Sequence, residues 1–191
     1  MRKKYLLGVL AVGASILAAR ADIIPTLSSV APAVGGFTWN YSSNVTVDQT
    51  VNTGDFFTIY DFGPFSLGSN AQPVGWTFSS SLVGATPPFV SPTDNPSILN
   101  LTWTYTGTTP IDGSAALGIF SVVAGIDQLK TSDFAAEATR TSGPNAGSKV
   151  ENIGAITVPV PEMSALFPIL SVCSAALLSL LPSFLRRRHA G

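Results

Sequence analysis

The chain has 191 residues, a formal net charge of −1, 46% hydrophobic residues, one cysteine and one histidine. Those two, Cys173 and His189, lie near the C-terminus, so residues 22–158 contain neither type. A Ser-His-Asp triad, a Cys-His pair, a disulfide and an ordinary zinc site are thereby excluded from that stretch.

Residues 1–21 have the layout of a secretory signal peptide. Arg2, Lys3 and Lys4 form a basic start, residues 6–18 an apolar run, and Ala19-Arg20-Ala21 an A-x-A cleavage site ahead of Asp22. The apolar run has thirteen residues, short for a membrane span. No cysteine follows it, which excludes a lipid-modified N-terminus. Passage through the secretion machinery is therefore expected, with cleavage between Ala21 and Asp22.

Residues 22–158 are one domain's worth of chain, enough to bury a core. They carry three basic residues (Lys130, Arg140, Lys149) against ten acidic ones, a balance of −7 that the basic termini mask in the whole-chain value. A surface of that sign repels phosphate backbones and argues against nucleic acid as a partner. Apolar and polar residues alternate with period two. Leu99, Leu101, Trp103 and Tyr105 point one way, and Asn100, Thr102, Thr104 and Thr106 the other; Phe37, Trp39 and Tyr41 repeat the pattern. Further strands are expected at 46–51, 56–60, 75–80, 116–123, 134–140 and 152–158. Turn-formers such as Asn52-Thr53-Gly54, Thr86-Pro87-Pro88 and Ser142-Gly143-Pro144-Asn145 separate them. No helical period of useful length occurs between the termini. The expectation is an all-β antiparallel β-sandwich of about seven to nine strands, each with one wet face.

Without histidine or cysteine, carboxylate chemistry is what survives. A glycosidase needs two acids set roughly 5–9.5 Å apart, and Asp55 with Asp61, or Asp127, Asp133 and Glu137, are the pairs to test. Asp94 and Asp112 stand in Pro/Asn/Gly contexts where an Asp caps its own turn. Trp39, Tyr41, Trp76, Trp103 and Tyr105 could stack on sugar rings, but their alternation puts them on inner faces, as core. No catalytic residue, metal ligand or cofactor is expected.

Residues 157–161, with Pro159 and Pro161, read as a short stiff spacer. Beyond them, Val160-Pro161-Glu162-Met163 leads into residues 165–185, twenty-one positions without a charge, followed by Arg186-Arg187-Arg188. At roughly 1.5 Å per residue that apolar run reaches about 30 Å, a bilayer's hydrocarbon thickness. The arginines would stay on the cytoplasmic side and place the preceding domain outside. Pro168 can start the helix and Pro182 bend its last turn.

This order of parts resembles the PEP-CTERM sorting signal of Gram-negative bacteria. Val160-Pro161-Glu162 matches the family's Val-Pro-Glu-Pro opening, with Met163 where the last proline is usual. The resemblance covers about residues 159–189. It implies processing by an exosortase after a stage anchored in the inner membrane, then a place on the cell surface or in the extracellular matrix, where exopolysaccharide is a candidate partner. The expected protein is of structural or interaction type. Its rival is a carbohydrate-active domain, either a glycan-binding module or a carboxylate-only glycosidase, displayed by the same tail.

Overall fold

The alternation becomes strands along almost the whole domain. The computed structural model describes residues 23–160, which contain ten strands and no helix. They are β1 (Ile23–Ala33), β2 (Gly36–Val45), β3 (Gln49–Val51), β4 (Phe56–Ile59), β5 (Trp76–Ser81), β6 (Asn100–Tyr105), β7 (Ile111–Asp112), β8 (Ala115–Ala124), β9 (Leu129–Arg140) and β10 (Lys149–Pro159).

They form two sheets in which every pairing is antiparallel. The smaller has the order β1-β2-β8; the larger runs β5-β6-β4-β9-β3-β7, with β10 also paired to β9. β3 and β4 lie along the same side of β9, with Thr50 opposite Thr139 and Phe56 opposite Glu137. They are one strand interrupted by a turn. At that turn the Asp55 carboxylate accepts the Asn52 N–H at 2.8 Å and the Thr139 hydroxyl at 3.1 Å, and Lys149 pairs with it. Asp55 is fully buried, and these partners are what make a carboxylate tolerable there.

The core lies between the sheets. Trp39, Tyr41, Phe120 and Val122 come from the smaller sheet; Phe57, Ile59, Leu101, Trp103 and Phe134 come from the larger. Phe57 stacks on Trp103 at 5.2 Å and meets Phe120 of the other sheet edge-on at 4.9 Å. Aromatic side chains of this size supply much of a small domain's buried area. Two side chains bond across the sheets: Tyr41 Oη donates to the Thr157 carbonyl at 2.9 Å, and Asn152 Nδ2 to the Ile23 carbonyl at 3.3 Å, while Trp103 Nε1 and Asn152 Oδ1 are buried without a partner. Two antiparallel sheets around a shared aromatic core are consistent with the expected β-sandwich.

Three details differ from the sequence reading. The described strands number ten, because the two-residue β7 forms at Ile111–Asp112 and because residues 23–33 form a strand despite Pro25 and Pro32. β1 is an edge, where a missing N–H is harmless, and a register break between Leu27 and Ser29 interrupts its alternation. Residues 157–159 belong to β10, and Val160 N–H still donates to the Gln128 carbonyl at 2.9 Å, so the domain runs past residue 158 and absorbs the start of the spacer. Finally, while Thr77 and Ser79 on β5 remain exposed, the larger sheet is covered over the middle of its outer face. Thr58, Thr102 and Ala135 point outward there and are buried, because the connection from β5 to β6 folds over them.

The β1–β2 turn needs its glycine. A Cβ on Gly36 would stand 2.1 Å from the Ala124 carbonyl oxygen, and its φ of 143° suits no other residue well.

Candidate functional site

Residues 82–99, the β5–β6 connection, form the most elaborately held surface of the domain. Ala85 sets the near end: its carbonyl accepts hydrogen bonds from Thr58 Oγ1 at 2.8 Å and Tyr60 Oη at 2.7 Å. Gly84 lies against the Tyr60 ring so closely that a Cβ there would come within 2.5 Å of it. Asp94 closes the loop on itself, accepting from the Gly84 N–H at 3.0 Å and Asn100 Nδ2 at 2.9 Å. Asp61 accepts from the Asn95 N–H at 2.9 Å, and Asp133 from the Thr93 N–H at 2.7 Å. Three carboxylates from three elements therefore fix one loop by its backbone.

Beneath it, burial pushes the Tyr60 phenol above its ordinary range. The Asp94 and Asp133 carboxylates push the same way, while hydrogen bonds with Thr86 and Thr58 pull against them. Tyr60 stays a neutral donor and holds Ala85.

At the far side the braced loop presents Phe89, 96% exposed and held at φ 67°. A bulky residue with positive φ is strained, and such strain persists only where surrounding structure imposes it. Pro87 is buried, Pro88 stiffens the approach, and Leu82 and Val83 on the same loop are exposed as well. Beside the loop an open groove is lined by Asp61, Thr93, Lys130, Thr131, Ser132 and Asp133. The loop thus offers an exposed aromatic side chain on a backbone held by hydrogen bonds at Gly84, Ala85, Thr93 and Asn95. It can stack on a flat or apolar ligand surface at little ordering cost.

The residues singled out from sequence fall elsewhere. Trp39, Trp103 and Tyr41 are fully buried, and Trp76 and Tyr105 are 5% exposed, so all five belong to the core, as the alternation required. Asp55 is tied to Lys149, and Glu137 lies 3.5 Å from the same amine. Asp127 bonds the neighbouring Gln128, and Asp133 bonds Thr93. Among the described residues no three His, Cys, Asp or Glu side chains gather in a way that could hold a metal ion. Of the sorting residues, Val160 lies at the end of the described chain, bonded to Gln128. Pro161, Glu162, Met163, the helix expected over 165–185, Arg186, Arg187 and Arg188 lie outside the described residues, as do Ala19, Ala21 and Asp22.

Phe89 and Tyr60 were missed by sequence reasoning. The one signal for Phe89 was its neighbourhood, since a large aromatic directly after Pro87-Pro88 stands in a turn, outside any alternating run. Tyr60 gave none. No protein-family model matches this chain, and no curated protein or solved structure matches it either.

Proposed function

We propose that this chain is an exported protein of structural or interaction type. Its signal peptide brings it to the secretion machinery, and its tail makes it an exosortase substrate bound for the cell surface or extracellular matrix. Support for the tail comes from the order of its parts in the sequence: Val160-Pro161-Glu162-Met163, the uncharged run over 165–185 and Arg186-Arg187-Arg188. In the described residues β10 ends at Pro159, and Val160, the first residue of the motif, donates its N–H to the Gln128 carbonyl. The non-catalytic reading is supported by the acids: Asp61, Asp94 and Asp133 each accept from a backbone amide of the loop, and Asp55 is paired with Lys149.

The test is processing in a Gram-negative host that carries an exosortase. Wild-type chain should begin at Asp22 and convert to a smaller released form. Glu162→Ala should still enter the membrane, its apolar segment being untouched, yet stay at full length. Replacing Arg186, Arg187 and Arg188 by serine should instead weaken orientation in the membrane. Wild-type chain that persists at full length would reduce the tail to a plain anchor.

A second reading, a glycan-binding module, is favoured by one observation, the exposed and braced Phe89. An exposed aromatic can pack its apolar face on the apolar face of a sugar ring. Phe89→Gly should relieve the positive φ and leave thermal stability unchanged or slightly higher. If the loop binds glycan, the same change should weaken retention on a neutral polysaccharide column. Equal retention of both proteins would remove this reading.

A further inference from the structure

Four segments meet at one end of the sandwich. The β1–β2 turn caps it, with Phe37 opposite Ala124 at the end of β8 and the Trp39 indole N–H donating to the Ile126 carbonyl at 3.1 Å. The connection that follows β4 joins them: Ser66 N–H donates to the Val123 carbonyl at 2.8 Å, and a Cβ on Gly35 would stand 3.9 Å from Ser66 Oγ. β9 starts and β10 finishes alongside, with Leu129 opposite Pro159 and Val160 N–H on the Gln128 carbonyl. Residues 30–37, 63–69, 123–130 and 158–160 thus form this end, and the described chain stops on it.

Three of these segments hold a large apolar side chain out of the fold: Val34 is fully exposed, Leu67 90% and Leu129 60%. An open groove lined in part by Val30, Pro32 and Phe37 adjoins Leu129. Single exposed apolar residues are ordinary on a surface, but side chains gathered on neighbouring turns mark contact with something apolar. Charge is sparse here. The four segments carry Asp127 and Lys130 alone, which cancel. At the opposite end, residues 44–55, 111–116 and 137–151 carry five acids against Arg140 and Lys149, a balance of −3. The domain is therefore polarised, apolar and neutral at one end and acidic at the other.

We propose that the neutral end rests on the lipid surface of the bilayer that residues 165–185 would span, with Val34, Leu67 and Leu129 at the boundary of headgroups and acyl chains. The inference rests on the membrane-anchored stage of the tail proposed above. The occupant follows from the length of chain beyond the described end. Residue 165 comes five positions after Val160, and an extended chain covers at most about 3.6 Å per residue. This end can therefore stand no farther than about 18 Å from the apolar run, whatever path the link takes. Interfacial binding grows with the apolar area buried, and a neutral surface meets zwitterionic lipid without charge repulsion. Anionic headgroups would repel the acidic end, which then faces away from the membrane.

The test uses the full chain with Cys173→Ser in phosphatidylcholine vesicles, so that a thiol-reactive fluorophore reports one introduced cysteine. Val34→Cys and Val47→Cys place it at the neutral and the acidic end, both at exposed positions. The label at 34 should be blue-shifted and quenched by lipids that carry a nitroxide on the acyl chain. The label at 47 should show neither effect. Diluting the protein into more lipid should leave both results unchanged. Adding Leu67→Asp and Leu129→Asp to the Val34→Cys chain should abolish the quenching at 34, with the melting temperature unchanged because both side chains are exposed. Equal quenching at 34 and 47 in a chain that resists alkaline carbonate extraction overturns the proposal and spares the tail. A chain that carbonate strips from the vesicles overturns both. A blue shift at 34 that vanishes on dilution, without quenching by the lipid nitroxide, would mean that a second copy covers this end, which also overturns it. Should the double Asp variant fail to fold, the comparison of 34 with 47 still decides.

Discussion

Trp103 separates a packing role from a binding one more sharply than any other residue in the domain. It is fully buried, stacks on Phe57 at 5.2 Å, and meets Phe78 at 5.3 Å and Phe120 at 5.7 Å. Trp103→Ala should cost about 3–5 kcal/mol, a large part of a small domain's stability. Thermal or urea melts would measure it, and iodide should fail to quench Trp103 in the folded protein. The alternation Leu101, Trp103, Tyr105 was enough to place this residue, because a strand has only two faces and the run of threonines claimed the other. Phe89 was beyond that logic. Its exposure depends on Asp61, Asp94 and Asp133 converging from three parts of the chain, and no local pattern encodes that convergence.

Among the elements, the connection 82–99 is held chiefly by side-chain hydrogen bonds to its backbone, not by strand pairing. Asp94 is its keystone, since it binds both Gly84 and Asn100. In Asp94→Ala a protease should cut within 82–99 several times faster than in wild type, while the melting temperature falls only modestly. Equal cleavage rates would show that Tyr60 and Thr58 suffice. Here the sequence was half legible. Its Pro, Asn and Asp residues marked a loop correctly, but Asp94 binds Gly84 and Asn100 and does not cap its own turn, and the loop's position over the larger sheet was hidden. Thr58 and Thr102 looked like solvent-facing residues, and their hydroxyls instead bond each other at 2.9 Å beneath the loop. β1 was illegible for another reason. Two prolines normally argue against a strand, and only an edge position makes them harmless.

At the scale of the whole molecule the two sheets are joined by buried phenol as well as by hydrophobic contact. Tyr41 of the smaller sheet reaches the Thr157 carbonyl of the larger, and burial holds its phenol far above the ordinary range. Tyr60, also raised chiefly by burial, acts similarly beneath the loop. In the unfolded chain both would ionise near pH 10. Below that pH both states are protonated, and stability does not depend on these groups. Above it the unfolded chain loses protons first, so stability should fall as pH rises. Urea melts between about pH 8 and 11 should show this decline at the alkaline end. Tyrosinate absorbance should appear together with unfolding, not before it.

The described residues end on β10, and that sets how the domain would carry a load applied there. A pull on Val160 acts along the strand, whose pairing with β9 extends from Lys149 opposite Thr139 to Pro159 opposite Leu129. Every bond of that ladder is strained together in shear, so none can be peeled away singly as in a zipper. Resistance to steady force is then set by the barrier to sliding the whole strand, a kinetic property distinct from equilibrium stability. A domain drawn by its tail is gripped along its longest unbroken ladder.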